Sequence, residues 1–354
     1  MSPEIPRYQS EDLVAFSTRL FARLRLPEDR ARDTAEVLVE SDLLGHTTHG
    51  LGMAPRYLSS LDEGAMTREG EPETISDSGA AIVWDGRYLP GPWLMRRAIG
   101  FARARLADHP QVTVVLRRSH HIGCLQAYLE PVTRDGLVIL LTCSDPAGAG
   151  VAAHGGVESV ITPNPFAAGL PTEREPILFD ISMSTTTNAL TKRLADEGGR
   201  LPGPWLVDAS GEATDDPSVL FGSGPRGAIL PLGGRELGHK GFALALLVEA
   251  LTSGLSGHGR AEKPDAWGAS VYLQLIDPER FAGRAAFRRE MSAIAEAARA
   301  SRTAPGAPPV RLPGQAALAR KARQLAQGVE LYPTILEALA PWARRLEVAL
   351  PRPI

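Results

Sequence analysis

The feature that most constrains the fold is a change of periodicity, with helical patterns at both ends enclosing a middle of short β-branched and aliphatic runs. These runs fall at 80–84, 112–116, 137–143, 158–162 and 177–181, with another at 270–276, and they read as strands. A helical pattern around 125–135 separates the second run from the third, so at least one strand-helix-strand unit is expected. Near the start, Ser10 can cap a helix on which Leu13, Phe16, Leu20 and Leu24 share one face. A second helix is predicted from Pro27 to Gly45, and a third apolar stripe, Ala54, Tyr57, Leu58 and Leu61, ends at Gly64. The run Gly241 to Leu251 is apolar on nearly every side and predicts a buried helix. Helices are also predicted over roughly 285–301, 315–327 and 332–345, with a loop at 304–309. The fold class is therefore α/β.

At 354 residues the chain is long enough for about two compact units. Its apolar share of 44% with 22% charged residues suits a protein with a substantial core. A net charge of −3 provides no field to gather a polyanion, which argues against nucleic acid as a partner. The start, Met1 to Pro6, has no basic region followed by an apolar stretch, and no segment reaches the ~18 apolar residues of a membrane span. A soluble, cytoplasmic protein without a targeting segment is expected. Two cysteines, Cys124 and Cys143, fit a reducing compartment and leave one disulfide open.

Two histidine-bearing loops stand out, His46-Thr47-Thr48-His49-Gly50 and Arg118-Ser119-His120-His121-Ile122-Gly123. Imidazole suits proton transfer near neutral pH, and it serves equally as a capping or hydrogen-bonding group. No His-Glu-x-x-His pattern and no cysteine cluster accompanies these histidines, so no metal is expected. Gly222-Ser223-Gly224-Pro225-Arg226-Gly227 matches the dinucleotide-binding glycine pattern formally. A proline and two glycines, Pro231, Gly233 and Gly234, stand where its helix should run, which makes the match accidental. Neither a Gly-x-Ser-x-Gly elbow nor a phosphate-binding Gly-Lys-Ser/Thr loop is present. Lys240, expected at a helix start, reads either as an anion-holding cation or as a solvated helix end, and Asp180 either as a strand-end cap or as a histidine's orienting partner.

Four motifs taken in order resemble the malate/L-lactate dehydrogenase family. Ser41-Asp42-Leu43-Leu44-Gly45-His46-Thr47-Thr48-His49-Gly50 resembles its Ala-Asp-x-x-Gly-x-x-Ser-His-Gly, and Ser119-His120-His121-Ile122-Gly123 its Ser-Asn-His-Phe-Gly. Phe179-Asp180-Ile181-Ser182 is similar to Leu-Asp-Met-Ala. The segments Leu230-Pro231-Leu232-Gly233-Gly234 and His239-Lys240-Gly241-Phe242 are similar to Leu-Pro-Leu-Gly-Gly and Lys-Gly-Tyr, and Leu312-Pro313-Gly314-Gln315 to Pro-Gly-Glu.

The resemblance implies a homodimer and a mixed sheet, of the kind found in sulfolactate dehydrogenase rather than a Rossmann fold, that binds NADH or NADPH. It also implies reduction of a C=O or C=N, as in 2-oxo acids and cyclic imines. It implies an N-terminal helical and substrate portion over 1–115, a cofactor-binding portion over 116–300 and C-terminal helices over 301–354 that return to the first. His49 would be the proton donor, Thr48 its hydroxyl partner and Asp180 the carboxylate that orients it, with His121 as the competing acid. Ser144, Asp180, Ile181, Ser182, Lys240, Pro313 and Gly314 fall where the family contacts its cofactor.

The chain also departs from the family. Met53 replaces the arginine four residues after the motif histidine, Pro163 replaces the threonine of Thr-Asn-Pro, and Asn188 and Leu190 stand where many members have Arg and Lys. Arg56 and Arg118 are the nearby cations in sequence. The alternative reading is a cofactor-binding homologue without catalysis, in a regulatory or scaffold role, and a histidine-based metal hydrolase is a third.

Overall fold

The computed structural model describes residues 6–222 and 224–354. Met1–Ile5, which carry most of the start read for a targeting segment, and Ser223 of the glycine pattern lie outside them. Its centre is a seven-stranded sheet in the spatial order Glu73–Asp77, Ala81–Asp85, Gln111–Ser119, Ala269–Ile276, Val138–Ser144, Phe166–Leu170, Ile177–Ile181. Only Ala81–Asp85 and Gln111–Ser119 run parallel, every other neighbour pair being antiparallel, so the sheet is mixed. The predicted strand-helix-strand unit is present, but its two strands are not neighbours. Ala269–Ile276 inserts between them and pairs antiparallel with both. One face of that strand, Ala269, Val271, Leu273 and Leu275, is fully buried, while Tyr272, Gln274 and Ile276 on the other are half-buried.

The helices are α1 (Ser10–Arg23), α2 (Glu28–Leu44), α3 (Ala54–Asp62), α4 (Gly91–Arg105), α5 (Leu129–Arg134), α6 (Asn188–Asp196), α7 (Gly234–Glu249), α8 (Arg284–Ala300), α9 (Gln315–Gln327) and α10 (Thr334–Arg345). One core joins α1, α2 and α3 to the C-terminal segment, through Leu13, Phe16, Tyr57 and Leu58 against Val329, Ile335 and Leu339. The short strand Arg7–Tyr8 also pairs with Val329–Glu330. A second core fills the space between the sheet, α4 and α5. A smaller five-stranded sheet includes Val151–Ala152 and Ala228–Ile229, and it makes its own cluster with α7 through Ala245 and Val248.

Two expectations change in detail, and the dismissal of the glycine pattern holds. Ser10 is the first residue of α1, and Gln9 holds the cap position without a side-chain bond. The glycine pattern at 222–227 leads into the strand Ala228–Ile229, not into a helix. The helix expected to be buried begins at Gly234, so Lys240 lies in its second turn, and only one of its faces is covered. Gly238, Gly241, Ala245 and Val248 pack inward, while Leu237, Leu244, Leu246 and Leu247 stay 45–50% exposed in the single chain. No helix of the described residues is long and apolar enough to cross a membrane. Both cysteines are free thiols.

Candidate active site

The first histidine loop is built on the end of α2. Gly45 takes φ 94°, and its N–H and that of His46 bond back to the carbonyls of Asp42 and Ser41, a glycine-terminated helix end. The chain then runs through Thr48, His49 and Gly50 into α3. Asp42 fixes its path: the carboxylate is buried, and Oδ2 accepts the Leu51 N–H at 2.7 Å. A Cβ on Gly50 would lie 2.3 Å from Asp42 Oδ1, so only glycine fits against that carboxyl. Burial pushes the Asp42 pKa up to about 7. Arg193 braces the loop from outside, donating to Thr47 Oγ1 at 3.0 Å while it stacks on Tyr332. Thr48 Oγ1 lies 3.0 Å from His49 Nδ1.

The second loop leaves the strand Gln111–Ser119 and is closely packed. Gly91, at the start of α4, abuts the His120 and His121 carbonyls, where a Cβ would approach both oxygens to 2.4 Å. His121 Nδ1 lies 2.7 Å from the Tyr57 hydroxyl and accepts the Gly123 N–H at 3.2 Å. An accepting Nδ1 leaves the neutral ring's proton on Nε2. His121 stacks on Trp267 at 5.0 Å and on His49 at 5.8 Å, which brings the two loops together. His120 is 1% exposed, sits edge-on to Tyr57 and Trp267, and has no partner among the described residues at either ring nitrogen. Burial pushes its pKa down to about 3, so it is neutral.

The rival acids differ in their electrostatics. Burial lowers the pKa of both, but for His49 the Asp180 carboxylate opposes that effect. For His121 the charges of His49, His120 and Arg56 add to it and hold the imidazole well below its ordinary range.

Asp180 ends the strand Ile177–Ile181. Its Oδ2 accepts the Gln126 N–H at 3.1 Å and lies 3.4 Å from the Cys124 thiol, so it acts on His49 through its field and not through a hydrogen bond. His46 Nε2 donates to Gln126 Oε1 at 2.8 Å. The donor atoms of His46, Cys124 and Asp180 lie within 4.8 Å of one another, a set that hydrogen bonding accounts for. Next to Asp180, Leu178 N–H donates to the Pro313 carbonyl at 3.2 Å, and Gly314, at φ 86°, would place a Cβ 2.7 Å from Leu178 O. A cleft of about 640 Å³ opens here, lined by His46, Gln126, Arg311, Pro313, Gly314 and Arg320.

The remaining expected contacts are more scattered. Ile181 is exposed, and the Ser182 hydroxyl donates to Ser184 O at 3.1 Å. Ser144 is buried, with its hydroxyl 2.8 Å from that of Thr252. Lys240 stands exposed on α7, without an ion pair among the described residues. The structure thus joins Thr48, His49 and His121 in one group and Asp180, Pro313 and Gly314 in a neighbouring one.

The departures are also placed. Met53 packs on the N-terminal core. The Pro163 carbonyl accepts Met183 N–H at 2.8 Å, and the Thr162 hydroxyl beside it donates to Asn164 at 2.7 Å. Asn188 and Leu190 lie in the first turn of α6, where the Asn188 side chain faces Gly150. Arg118 is committed to Asp85 at 2.5 Å, a pair with Arg117 on the same carboxylate. Arg56 instead lays its guanidinium 3.4 Å over Trp267. Asp42, Gln126 and Trp267 were not singled out from sequence. For Asp42 a signal existed, an anion in the last turn of a helix, where it opposes the dipole. Trp267 follows the polar stretch Lys263-Pro264-Asp265 and carries no local signal.

The profile of the malate/L-lactate dehydrogenase family matches residues 8–340. An L-lactate dehydrogenase of Cupriavidus necator is 33% identical over 94% of this chain and 95% of its own. A Δ1-pyrroline-2-carboxylate/Δ1-piperideine-2-carboxylate reductase of Pseudomonas syringae is 30% identical over 90% of this chain and 92% of its own. Among solved structures, malate dehydrogenase of Pyrococcus horikoshii superposes with a TM-score of 0.86 at 26% identity, covering 98% of this chain and 97% of that one. With these matches running nearly end to end over the mixed sheet and both histidine loops, the chain belongs to the malate/L-lactate dehydrogenase family and is an NAD(P)-linked oxidoreductase.

Proposed function

We propose that the protein reduces the C=O of a 2-oxo acid or the C=N of a cyclic imine with NADH or NADPH, and that His49 delivers the proton. The observation that carries the assignment is the electrostatic asymmetry of the stacked pair, because His49 alone has a carboxylate, Asp180, favouring its charged form. Burial still holds His49 below the ordinary imidazole range, but of the two rings it is the one whose surroundings favour taking up and releasing a proton. Thr48 holds the ring at Nδ1, so Nε2 is the nitrogen left to serve substrate. His121, kept neutral with its proton on Nε2, is suited to donate a hydrogen bond without giving the proton up.

The residues beside Asp180 suit a dinucleotide. The cleft carries Arg311 and Arg320 for anionic phosphates, and the buried Gln126 Nε2, which has no partner among the described residues, can meet a carboxamide oxygen. A nicotinamide bound there supplies the hydride. The protein's own work is to position the acid, keep His120 and His121 uncharged, and shield the site behind Trp267 and Tyr57. The exposed leucine face of α7 supports a homodimer, since a second copy of the chain would bury it.

The test is the pair of variants His49→Ala and His121→Ala, assayed against 2-oxo acids and cyclic imines. His49→Ala is expected to lower kcat by about 10²- to 10⁴-fold while cofactor affinity holds. His121→Ala is expected to leave in place the alkaline limb of the kcat pH profile, where the donor loses its proton. Loss of that limb in His121→Ala, with kcat retained in His49→Ala, would exchange their roles.

A further inference from the structure

Of the arginines around the two histidine loops, four are committed. Arg117 and Arg118 share Asp85, Arg193 holds Thr47, and Arg260 pairs with Glu249 at 2.9 Å. Arg56 differs: among the described residues it makes neither an ion pair nor a hydrogen bond, and its only specific contact is the face of Trp267, 3.4 Å from the ring centroid. A stacked guanidinium keeps its edges, and so its N–H fork, free for a planar oxyanion.

The position of Arg56 gives that fork a purpose. Trp267 is also the stacking partner of His121, which in turn stacks on His49. Arg56 therefore stands one aromatic ring away from His121, the neighbour of the proposed proton donor, and close enough for its charge to depress His121 and His120. On α3 it lies three residues beyond Met53, which makes the two neighbours on the helix surface. The same aromatic cluster holds His120, a buried polar ring whose nitrogens no group among the described residues meets. Leaving such a group buried and unpaired is costly, so a polar ligand is favoured here.

We propose that Arg56, seated on Trp267, is the residue that holds the substrate's carboxylate by a two-pronged ion pair, and that it sets specificity for substrates with a carboxylate next to the reducible carbon. This rests on the reductase reading above. A fork of N–H···O bonds of about 2.8 Å fixes the acid's plane as well as its charge. Lysine, a point charge, cannot reproduce that.

The experiment measures binding of oxamate, a carboxylate-bearing analogue of a 2-oxo acid, and of its neutral amide oxamide. Both are titrated into the full-length enzyme saturated with reduced cofactor, alongside turnover of a 2-oxo acid and cyclic imine panel. Wild type is expected to prefer oxamate. Arg56→Met is expected to lose oxamate affinity by at least about 100-fold with oxamide and cofactor affinities unchanged, and Arg56→Lys to recover only part of the loss. Unaltered cofactor affinity shows that each variant is folded. Equal binding of oxamate by wild type and Arg56→Met, or no preference for oxamate in wild type, overturns the proposal. Turnover by wild type with Arg56→Met unaffected refutes the role of Arg56 alone. Arg56-dependent oxamate binding with no turnover of any panel member supports the carboxylate site and refutes the reductase reading.

Discussion

Substituting Gly50 by alanine tests how the proposed acid is positioned. The φ of Gly50 is −89°, so the obstacle to a side chain is steric. The added Cβ would stand 2.3, 2.4 and 2.5 Å from Oδ1, Cγ and Oδ2 of Asp42. Ordinary contact begins near 3.5 Å, so one partner must retreat by about 1 Å. If the loop moves, His49 moves with it, and a misplacement of about 1 Å costs roughly 100-fold in rate. If Asp42 moves, the buried Leu51 N–H loses its acceptor, at about 1–3 kcal/mol. Gly50→Ala is therefore expected to lower kcat by about two orders of magnitude and stability by about 1–3 kcal/mol, with cofactor affinity within a few-fold of wild type. Steady-state kinetics, urea unfolding and cofactor titration measure the three quantities. Wild-type kcat together with wild-type stability would refute the reasoning.

The buried Asp42 also predicts a pH signature. Its folded pKa is about 7 and its unfolded value about 3.9, so the folded state holds a proton that the unfolded state has lost between those values. Stability from this group is full below pH ~4 and is lost as pH rises through ~7, by roughly 4 kcal/mol at most. In Asp42→Asn that dependence should vanish, which unfolding at pH 5 and 8 would show, and a parallel pH response in both proteins would count against it. Charging the α7 face by Leu244→Glu with Leu247→Glu should yield monomers in sedimentation analysis. Wild type that sediments as a monomer, or an unchanged dimer in the variant, would contradict the proposed use of that face.

Much of this was legible in the sequence because hydrophobic periodicity is a local signal. The strands near 112–116, 137–143 and 270–276 and the helices α1, α2 and α9 declare themselves through runs and stripes. Sheet order is not local. Nothing near residues 269–276 says that they will separate 111–119 from 138–144, because that choice is made by pairing with strands far away in sequence. Phe166–Leu170 escaped notice because Ala167, Ala168 and Gly169 have little strand propensity. Gly169 is small because α5 presses on it, with a Cβ there only 2.7 Å from Thr133 Cγ2. Helix α4 was missed because it opens Gly91-Pro92, and Gly91 is required by the backbone of the second histidine loop. In the site, the histidines and Asp180 were visible as residue types in motifs. Trp267 and the choice between Arg56 and Arg118 were not, since an ion pair to Asp85 removes one arginine and a stacking partner more than 200 residues away in sequence orients the other.

The central claim is hydride delivery to carbon coupled to a proton from His49. Its most direct measurement is a single turnover with reduced cofactor deuterated at C4 of the nicotinamide, with the product analysed by mass spectrometry. Wild type should place one deuterium on the carbon that bore the C=O or C=N, and His49→Ala should bind the same cofactor and place about 10²- to 10⁴-fold less in the same time. Deuterium transfer by His49→Ala at the wild-type rate, or product formed by wild type without deuterium at that carbon, would contradict the account.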